Sequence, residues 1–314
     1  MADQNDALMT SVARMYYLDG LGQSEVANIC GVSRSTVSRL LTTARERGIV
    51  KISVDEFDPR DRELEARLVE RFGLRQAIVV REMGGTAASI RRAVGYFAAP
   101  VLADCIGGHR LVGLAGGRTL GELIHHLEPR ARGTGPAFVQ LMGTIGSSPG
   151  RIDASELSRT LARRFQGTFL TLNAPAFAQS QRARALFLSH DEIQSIWNAF
   201  EALDLALVGV GSLEESAIIE RGVLNPEVYA ELRAAGAVGE ICGRFFDDRG
   251  RECESEVRDR VVSIGLDALR GCGDVAAVVS GTARARALRA AIRGEIVTSV
   301  VIDEAGAKGL LCAG

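Results

Sequence analysis

The stretch Gln23–Arg47, QSEVANICGVSRSTVSRLLTTARER, leaves this chain few ways to fold locally. Val26, Ala27 and Ile29 recur at helical spacing, and the run stops at Gly31, which takes a positive φ without steric cost, as a sharp inter-helix turn requires. Ser33 follows, placed to cap a second, longer helix by accepting a backbone N–H. In that helix Val37, Leu40 and Leu41 fall on one face. Arg34, Ser35, Thr36, Ser38 and Arg39 are left on the first turns outside it. A small Ala27 lets the two helices approach closely. The combination is the helix-turn-helix pattern, in which side chains at the start of the second helix reach base edges in a major groove. The alternative is an ordinary helical hairpin in a larger core, but here the outer face carries short hydroxyls and arginine rather than Glu and Lys.

Charge supports the same reading only locally. The net charge of −2 excludes a general polyanion binder, yet from Ser33 to Lys51 four arginines and one lysine face a single acid, Glu46. That excess supplies the sequence-independent attraction to phosphate that DNA binding needs. Residues 7–18 form an apolar-faced helix expected to pack behind the pair, ended by Asp19-Gly20. After Gly48, the alternation of Ile49–Val54 predicts a short strand, a wing on which Lys51 meets phosphate. The charged run with Pro59 at 55–62 reads as a linker. The first domain is therefore expected at 1–54 and the second at 63–314, beginning with a helix over 62–73.

From Arg75 the pattern changes to short apolar strands at 76–80, 110–115, 137–142, 168–172, 204–210, 274–280 and 297–303. Helical stretches at 85–106, 118–128, 153–166, 282–293 and 304–312 separate them. Continuous apolar strands alternating with helices predict a mainly parallel sheet covered on both faces, an α/β fold whose ligands bind at the carboxyl ends of the strands. Three glycine-bearing turns lie at such ends: Gly113–Leu120, Gly143–Gly146 and Ser280–Arg284. Backbone N–H groups at a glycine-rich helix start favour an anion, with Arg118 and Thr119 as added donors. None of the three is a nucleotide fingerprint, and no metalloprotease or nucleophile-elbow motif is present. Six scattered cysteines lack metal-ligand spacing. No cofactor, no metal and no catalytic residue is expected. No apolar run reaches membrane-spanning length and no basic-then-apolar leader opens the chain, so a cytoplasmic location without membrane contact is expected. Trp197, on a helix with Ile193, Ile196 and Phe200, reads as packing.

Several segments together resemble the SorC family (the SorC/DeoR group) of sugar-responsive bacterial transcriptional regulators. They are the helix-turn-helix followed by GIVKISV, then GLAGGRTL at 113–120, DLALVGVGSL at 204–213, GAVGEICGRFFDDRG at 236–250 and ALRAAIRGEIVTSVVIDEAGAKGLL at 287–311. The resemblance runs through nearly the whole chain in order. It implies a C-terminal Rossmann-like effector-binding and oligomerisation domain, similar to sugar-phosphate isomerases and glucosamine-phosphate deaminases. Such a domain would sense a sugar, polyol or sugar phosphate and control the binding of a homodimer or homotetramer to double-stranded operator DNA. DNA contacts would come from Ser33, Arg34, Ser35, Thr36, Ser38, Arg39 and Lys51. The phosphate-side loop would be Gly116, Gly117, Arg118 and Thr119, joined by Gly143, Thr144, Gly281 and Arg284. Gly243, Phe245, Phe246 and Asp247 would lie by the sugar. Members often carry lysine where this chain has Arg284, which keeps the charge but forms no Schiff base. They also tend to carry asparagine near Asp153, whose carboxylate disfavours an anion and leaves a neutral polyol open. An alternative is a sugar-phosphate isomerase or deaminase fused to a DNA-binding domain, with Asp247, Asp303 or Glu304 as base.

Overall fold

In the computed structural model, which describes residues 2–53, 57–129, 133–146, 150–216, 218, 221–222 and 224–312, the chain divides into two units at Phe57 and Asp58. Three helices build the first: α1 (Ala2–Tyr17), α2 (Gln23–Cys30) and α3 (Arg34–Glu46). Met9, Val12 and Ala13 of α1 pack against Val26 and Ala27 of α2 and against Val37, Leu41 and Ala44 of α3. Gly31 takes φ +64°, the left-handed conformation that turns α2 into α3. The Ser33 hydroxyl accepts the Thr36 N–H at 3.1 Å and caps α3. Leu40 is half-buried beside this core. Ile29, expected on the buried face, is 63% exposed. At 100° per residue it lies roughly 110° round the helix from the midline between Val26 and Ala27.

The expected wing is not formed by residues 49–53, which carry no strand. Val54, and Asp55 and Glu56 of the expected linker, lie outside the described residues. Gly48 turns the chain at φ +70°, and the Gly48 and Val50 N–H groups donate to the Arg45 and Ala44 carbonyls, each at 3.1 Å. Residues that would have opened a strand are used in closing α3, and no strand among the described residues of this unit offers them a partner. Lys51 is exposed and outside any element.

The second unit begins earlier than the charged run suggests. Asp58–Arg62, expected as linker, is tied to the first strand instead. The Asp61 N–H donates to the Val79 carbonyl and the Arg81 N–H to the Pro59 carbonyl, both at 2.8 Å. Arg60 forks onto buried Glu65 at 2.6 and 2.8 Å, and Glu65 accepts the Val79 N–H. Helix α4 (Arg62–Phe72) follows at once.

Ten strands follow in chain order: β1 (Gln76–Val80), β2 (Leu111–Leu114), β3 (Ala137–Gln140), β4 (Thr168–Leu170), β5 (Leu205–Val208), β6 (Gly211–Ser212), β7 (Gly239–Ile241), β8 (Arg244–Phe246), β9 (Asp274–Val278) and β10 (Ser299–Asp303). Seven form one sheet in the order β1-β10-β9-β5-β2-β3-β4, with every pairing parallel. Alternate residues serve opposite faces, as strand geometry dictates. Ile78, Val112, Leu114, Leu205 and Leu207 meet α5 (Ala87–Gly107), α6 (Arg118–His126) and α7 (Ala154–Arg164). Val79, Ala206, Val208 and Val300 pack toward Leu64 and Leu68 of α4 and toward two later helices, α8 (Ala285–Arg293) and α9 (Glu304–Cys312). Trp197 lies against this second layer, tilted on Phe200 at 5.2 Å.

Sequence periodicity did not reveal the small antiparallel ribbon β6-β7-β8. Its strands are two or three residues long, too short to show an alternation. Cys242 and Gly243 join β7 to β8 with both φ positive, +52° and +77°, the conformation of a tight two-residue hairpin turn.

The chain runs outward from β2 to β3 and β4, then returns to place β5 on the other side of β2 before continuing to β9 and β10. Chain direction across the sheet therefore reverses between β2 and β5. Helices α5 and α6, under one face, cross so closely that a Cβ on Gly95 would lie 2.6 Å from the Glu122 carbonyl carbon. Alanine is the better helix former by up to about 1 kcal/mol, but this contact is with backbone that cannot yield. Gly95→Ala is expected to destabilise by about 1–3 kcal/mol, read as a lower urea midpoint. An unchanged or raised midpoint would show that the helices can separate freely there.

Candidate functional site

On the first unit, the start of α3 presents Arg34, Ser35, Ser38 and Arg39 to solvent, while Thr36 is half-buried. The Ser33 hydroxyl is engaged three ways, with the Thr36 N–H, the Ser35 hydroxyl and the Thr36 hydroxyl, the last two at 2.8 Å. Ser33 and Thr36 therefore shape the helix start. The Arg34, Ser38 and Arg39 side chains have no partner among the described residues and are exposed. Arg47 belongs to the structure, paired with Asp6 on α1 at 2.8 Å through its second nitrogen.

On the second unit, a cavity of about 110 Å³ opens at the carboxyl ends of β2 and β5, where the strand order reverses. This is the crevice where open α/β sheets bind ligands. Gly116 and Gly117 lead from β2 into α6, and Arg118, Thr119 and Leu120 of the first turn line the cavity. The N-cap is Gly117, at φ +152°, and a glycine supplies no capping side chain. The first turn of α6 therefore lines the cavity without a capping side chain from its N-cap, at the positive end of the helix dipole. The Gly117 N–H itself donates to the Ile152 carbonyl at 2.9 Å. A Cβ on Gly116 would sit 3.0 Å from that same carbonyl oxygen, so the loop is packed against residues 152–154. The Thr119 hydroxyl lies 3.3 Å from that of Ser280, which brings the turn after β9 to the same edge.

Four further side chains set the electrostatics. Arg221 pairs with Asp153 at 2.6 Å and Arg284 with Glu215 at 3.2 Å, and all four line the cavity. The Gly150 N–H also donates to Asp153. Glu240, on β7, is buried; one carboxylate oxygen accepts the Ser216 hydroxyl and the other the Gly243 N–H, both at 3.0 Å. Burial pushes its carboxyl above the ordinary value, and the two hydrogen bonds only partly oppose the shift. Burial likewise pushes up the neighbouring Cys242 thiol, so it is no nucleophile.

The structure gathers Gly116, Gly117, Arg118, Thr119, Gly243 and Arg284 of the expected effector residues into this lining, but not Gly143, Thr144, Phe245, Phe246, Asp247 or Gly281. The Gly143 and Thr144 N–H groups are spent on the Val262 and Ala174 carbonyls, and their neighbours Met142 and Ile145 face the cavity instead. Phe246 is fully buried in the core. The Asp247 carboxylate accepts the Arg249 and Arg251 N–H groups at 2.9 Å each, closing the turn after β8. The Gly281 N–H donates to Asp303 at 2.5 Å. Glu215, Arg221 and Glu240 escaped the sequence reading. An acid inside the otherwise apolar AVGEIC is the one signal that marks Glu240. No group of His, Cys, Asp and Glu among the described residues is arranged to hold a metal, and none of their helices is long and apolar enough to cross a membrane.

A helix-turn-helix face on one unit and a switch-point cavity on the other define a DNA-binding regulator with a ligand-type domain. Comparison with known proteins agrees along the whole length. Residues 59–312 match the family described as "Putative sugar-binding domain", and residues 9–47 that described as "Sigma-70, region 4". The chain is 29% identical over 313 residues to the deoxyribonucleoside regulator of Bacillus subtilis, covering 99% of each chain. It is 32% identical to the uncharacterized transcriptional regulator YjhU of Escherichia coli, covering 98% of this chain and 95% of that one. The full-length sorbitol operon regulator SorC of Klebsiella pneumoniae superposes with a TM-score of 0.77 at 26% identity, over 97% of this chain and 98% of its own. The chain belongs to the SorC family of sugar-binding transcriptional regulators.

The buried Glu240 has a consequence for stability. A carboxyl whose folded pKa is raised contributes stability that is full below its unfolded value, about 4.5, and is lost as pH rises through the folded value. Urea titrations across that range should show wild type losing stability relative to Glu240→Gln as pH rises. Parallel curves would show that Glu240 is not desolvated.

Proposed function

We propose that this regulator controls a carbohydrate or polyol catabolic operon, and that a sugar or polyol bearing a phosphate binds the cavity and changes operator affinity. The observation that carries the reading is the glycine-capped start of α6 lining the cavity at the switch point, with Thr119 and Arg118 in its first turn and Arg284 also in the lining. Backbone N–H groups and a helix dipole aimed into a concave site favour a bound anion. Glu240 and the Arg221–Asp153 pair present acceptors and donors suited to the hydroxyls of the same ligand.

On the DNA side, Arg34, Ser35, Ser38 and Arg39 enter the groove, Ser33 and Thr36 hold the helix start, and Lys51 meets the backbone. A homodimer or homotetramer acting in the cytoplasm would read a two-fold-related operator. The protein acts as a sensor rather than a catalyst: no histidine lines the cavity, and its two buried carboxyls are engaged, Glu240 with Ser216 and Gly243 and Asp153 with Arg221. One observation favours a neutral polyol as the ligand. Both Arg221 and Arg284 are already ion-paired, so an anion that recruits them must displace a carboxylate.

A thermal-shift panel of sugars, polyols and their phosphates separates the two ligand readings. At a hundredfold over its Kd, a ligand that binds only the folded chain adds about 2.7 kcal/mol. The expected hit is a sugar or polyol phosphate, lost in Thr119→Ala and weakened in Arg284→Ala. Asp153→Asn, which removes a competing carboxylate, should bind that ligand more tightly. A hit confined to unphosphorylated polyols, indifferent to Thr119→Ala, would overturn the phosphate assignment.

A further inference from the structure

Around α3, the buried Val37, Leu41 and Ala44 occupy one side. At 100° per residue the exposed residues fill one arc of the helix, and Ser35, Ser38 and Thr42 form a line along its middle. Arg34 and Arg45 run along one flank of this line and Arg39 along the other, all exposed. None of these three arginines is ion-paired among the described residues. A helix seated in the major groove turns its central line to the base edges and its flanks to the phosphates on either rim. Thr42 therefore sits on the base-facing line, one turn beyond Ser38.

The hydroxyls on that line are not equivalent. That of Ser35 is engaged with the Ser33 hydroxyl at 2.8 Å. That of Thr42 turns back onto the Ser38 carbonyl at 3.1 Å, so the group Thr42 offers to solvent is its γ-methyl. The Ser38 hydroxyl has no hydrogen bond among the described residues. The face thus carries one open polar reader and, four residues on, one apolar reader. The apolar group that base pairs expose in the major groove is the thymine C5-methyl.

We propose that Thr42 determines DNA specificity by packing its γ-methyl on a thymine methyl in each half-site, while the Ser38 hydroxyl contacts a base about two steps away. The separation follows from the rise of about 6 Å over four helical residues against about 3.4 Å per base step. The proposal rests on the chain being a DNA-binding regulator, and its test separates the two claims.

Full-length wild type is used to enrich duplexes from a randomised pool. Each thymine of an enriched site is then replaced singly by deoxyuridine, which removes only the methyl. At one thymine per half-site the replacement should weaken wild-type binding about fourfold, the worth of one buried methyl group. Thr42→Ser, which keeps the hydroxyl and loses the methyl, should bind the two duplexes equally. Thr42→Val, which keeps the methyl, should retain the difference. Absence of any uridine-sensitive thymine, or a difference that persists in Thr42→Ser, would overturn the proposal. Failure of wild type to enrich any sequence would instead overturn the regulator reading beneath it.

Discussion

Every strand of the main sheet runs the same way, and the site depends on that single constraint. Parallel pairing sends each loop that follows a strand to one edge, so residues far apart in the chain meet there without any dedicated framework. Residues 115–120 after β2, 209–211 after β5 and 278–279 at the end of β9 reach the cavity in this way. The reversal of strand order between β2 and β5 leaves an opening, because the connections on either side lead away from each other. The β7-β8 ribbon then closes part of that opening with Glu240, Cys242 and Gly243.

The chemistry of the cavity is a contest between two kinds of group. The dipole at the glycine-capped start of α6 favours an anion, while Asp153 and Glu215 already pair with the two arginines of the lining. A phosphate bound at α6 gains from the dipole without breaking either ion pair. One that recruits Arg221 or Arg284 as well must leave a carboxylate unpartnered in a partly enclosed space, which costs free energy. Affinity is in this sense set by residues that need never touch the ligand. Arg284 adds to this by tying the turn after β9 to the loop that carries Glu215, with its guanidinium also reaching the Ser280 carbonyl at 3.1 Å.

The sequence showed the large elements well because their signals are long or chemically specific. Gly31, Ser33 and the Val37–Leu41 stripe each have one natural role, and the seven parallel strands are apolar runs that only a sheet buried on both faces can absorb. The wing was misread because alternation in Ile49–Ser53 says nothing about whether a partner strand exists; Gly48 and Val50 are used to close α3 instead. Asp58–Arg62 has the composition of a linker, yet its backbone pairs along β1. In the cavity, the α6 loop was legible from its glycines. Asp247 and Phe246 lie outside the cavity lining, which the sequence could not show, because a turn-forming aspartate and a ligand-facing one look alike until their hydrogen bonds are seen. Arg221 and Glu215 lie in a stretch with no motif, and only the fold reveals what they face.

If a ligand in the cavity controls operator binding, cavity and recognition helix belong to one linked equilibrium. Thermodynamic reciprocity then fixes a relation free of any structural assumption: ligand must change DNA affinity by the same factor by which DNA changes ligand affinity. The measurement is a pair of titrations on the full-length protein, with an enriched duplex and the small molecule that stabilises it. Duplex is titrated with and without saturating ligand, and ligand with and without saturating duplex. The expected result is two ratios that agree and differ clearly from one. A duplex affinity that stays constant while the cavity fills would contradict it.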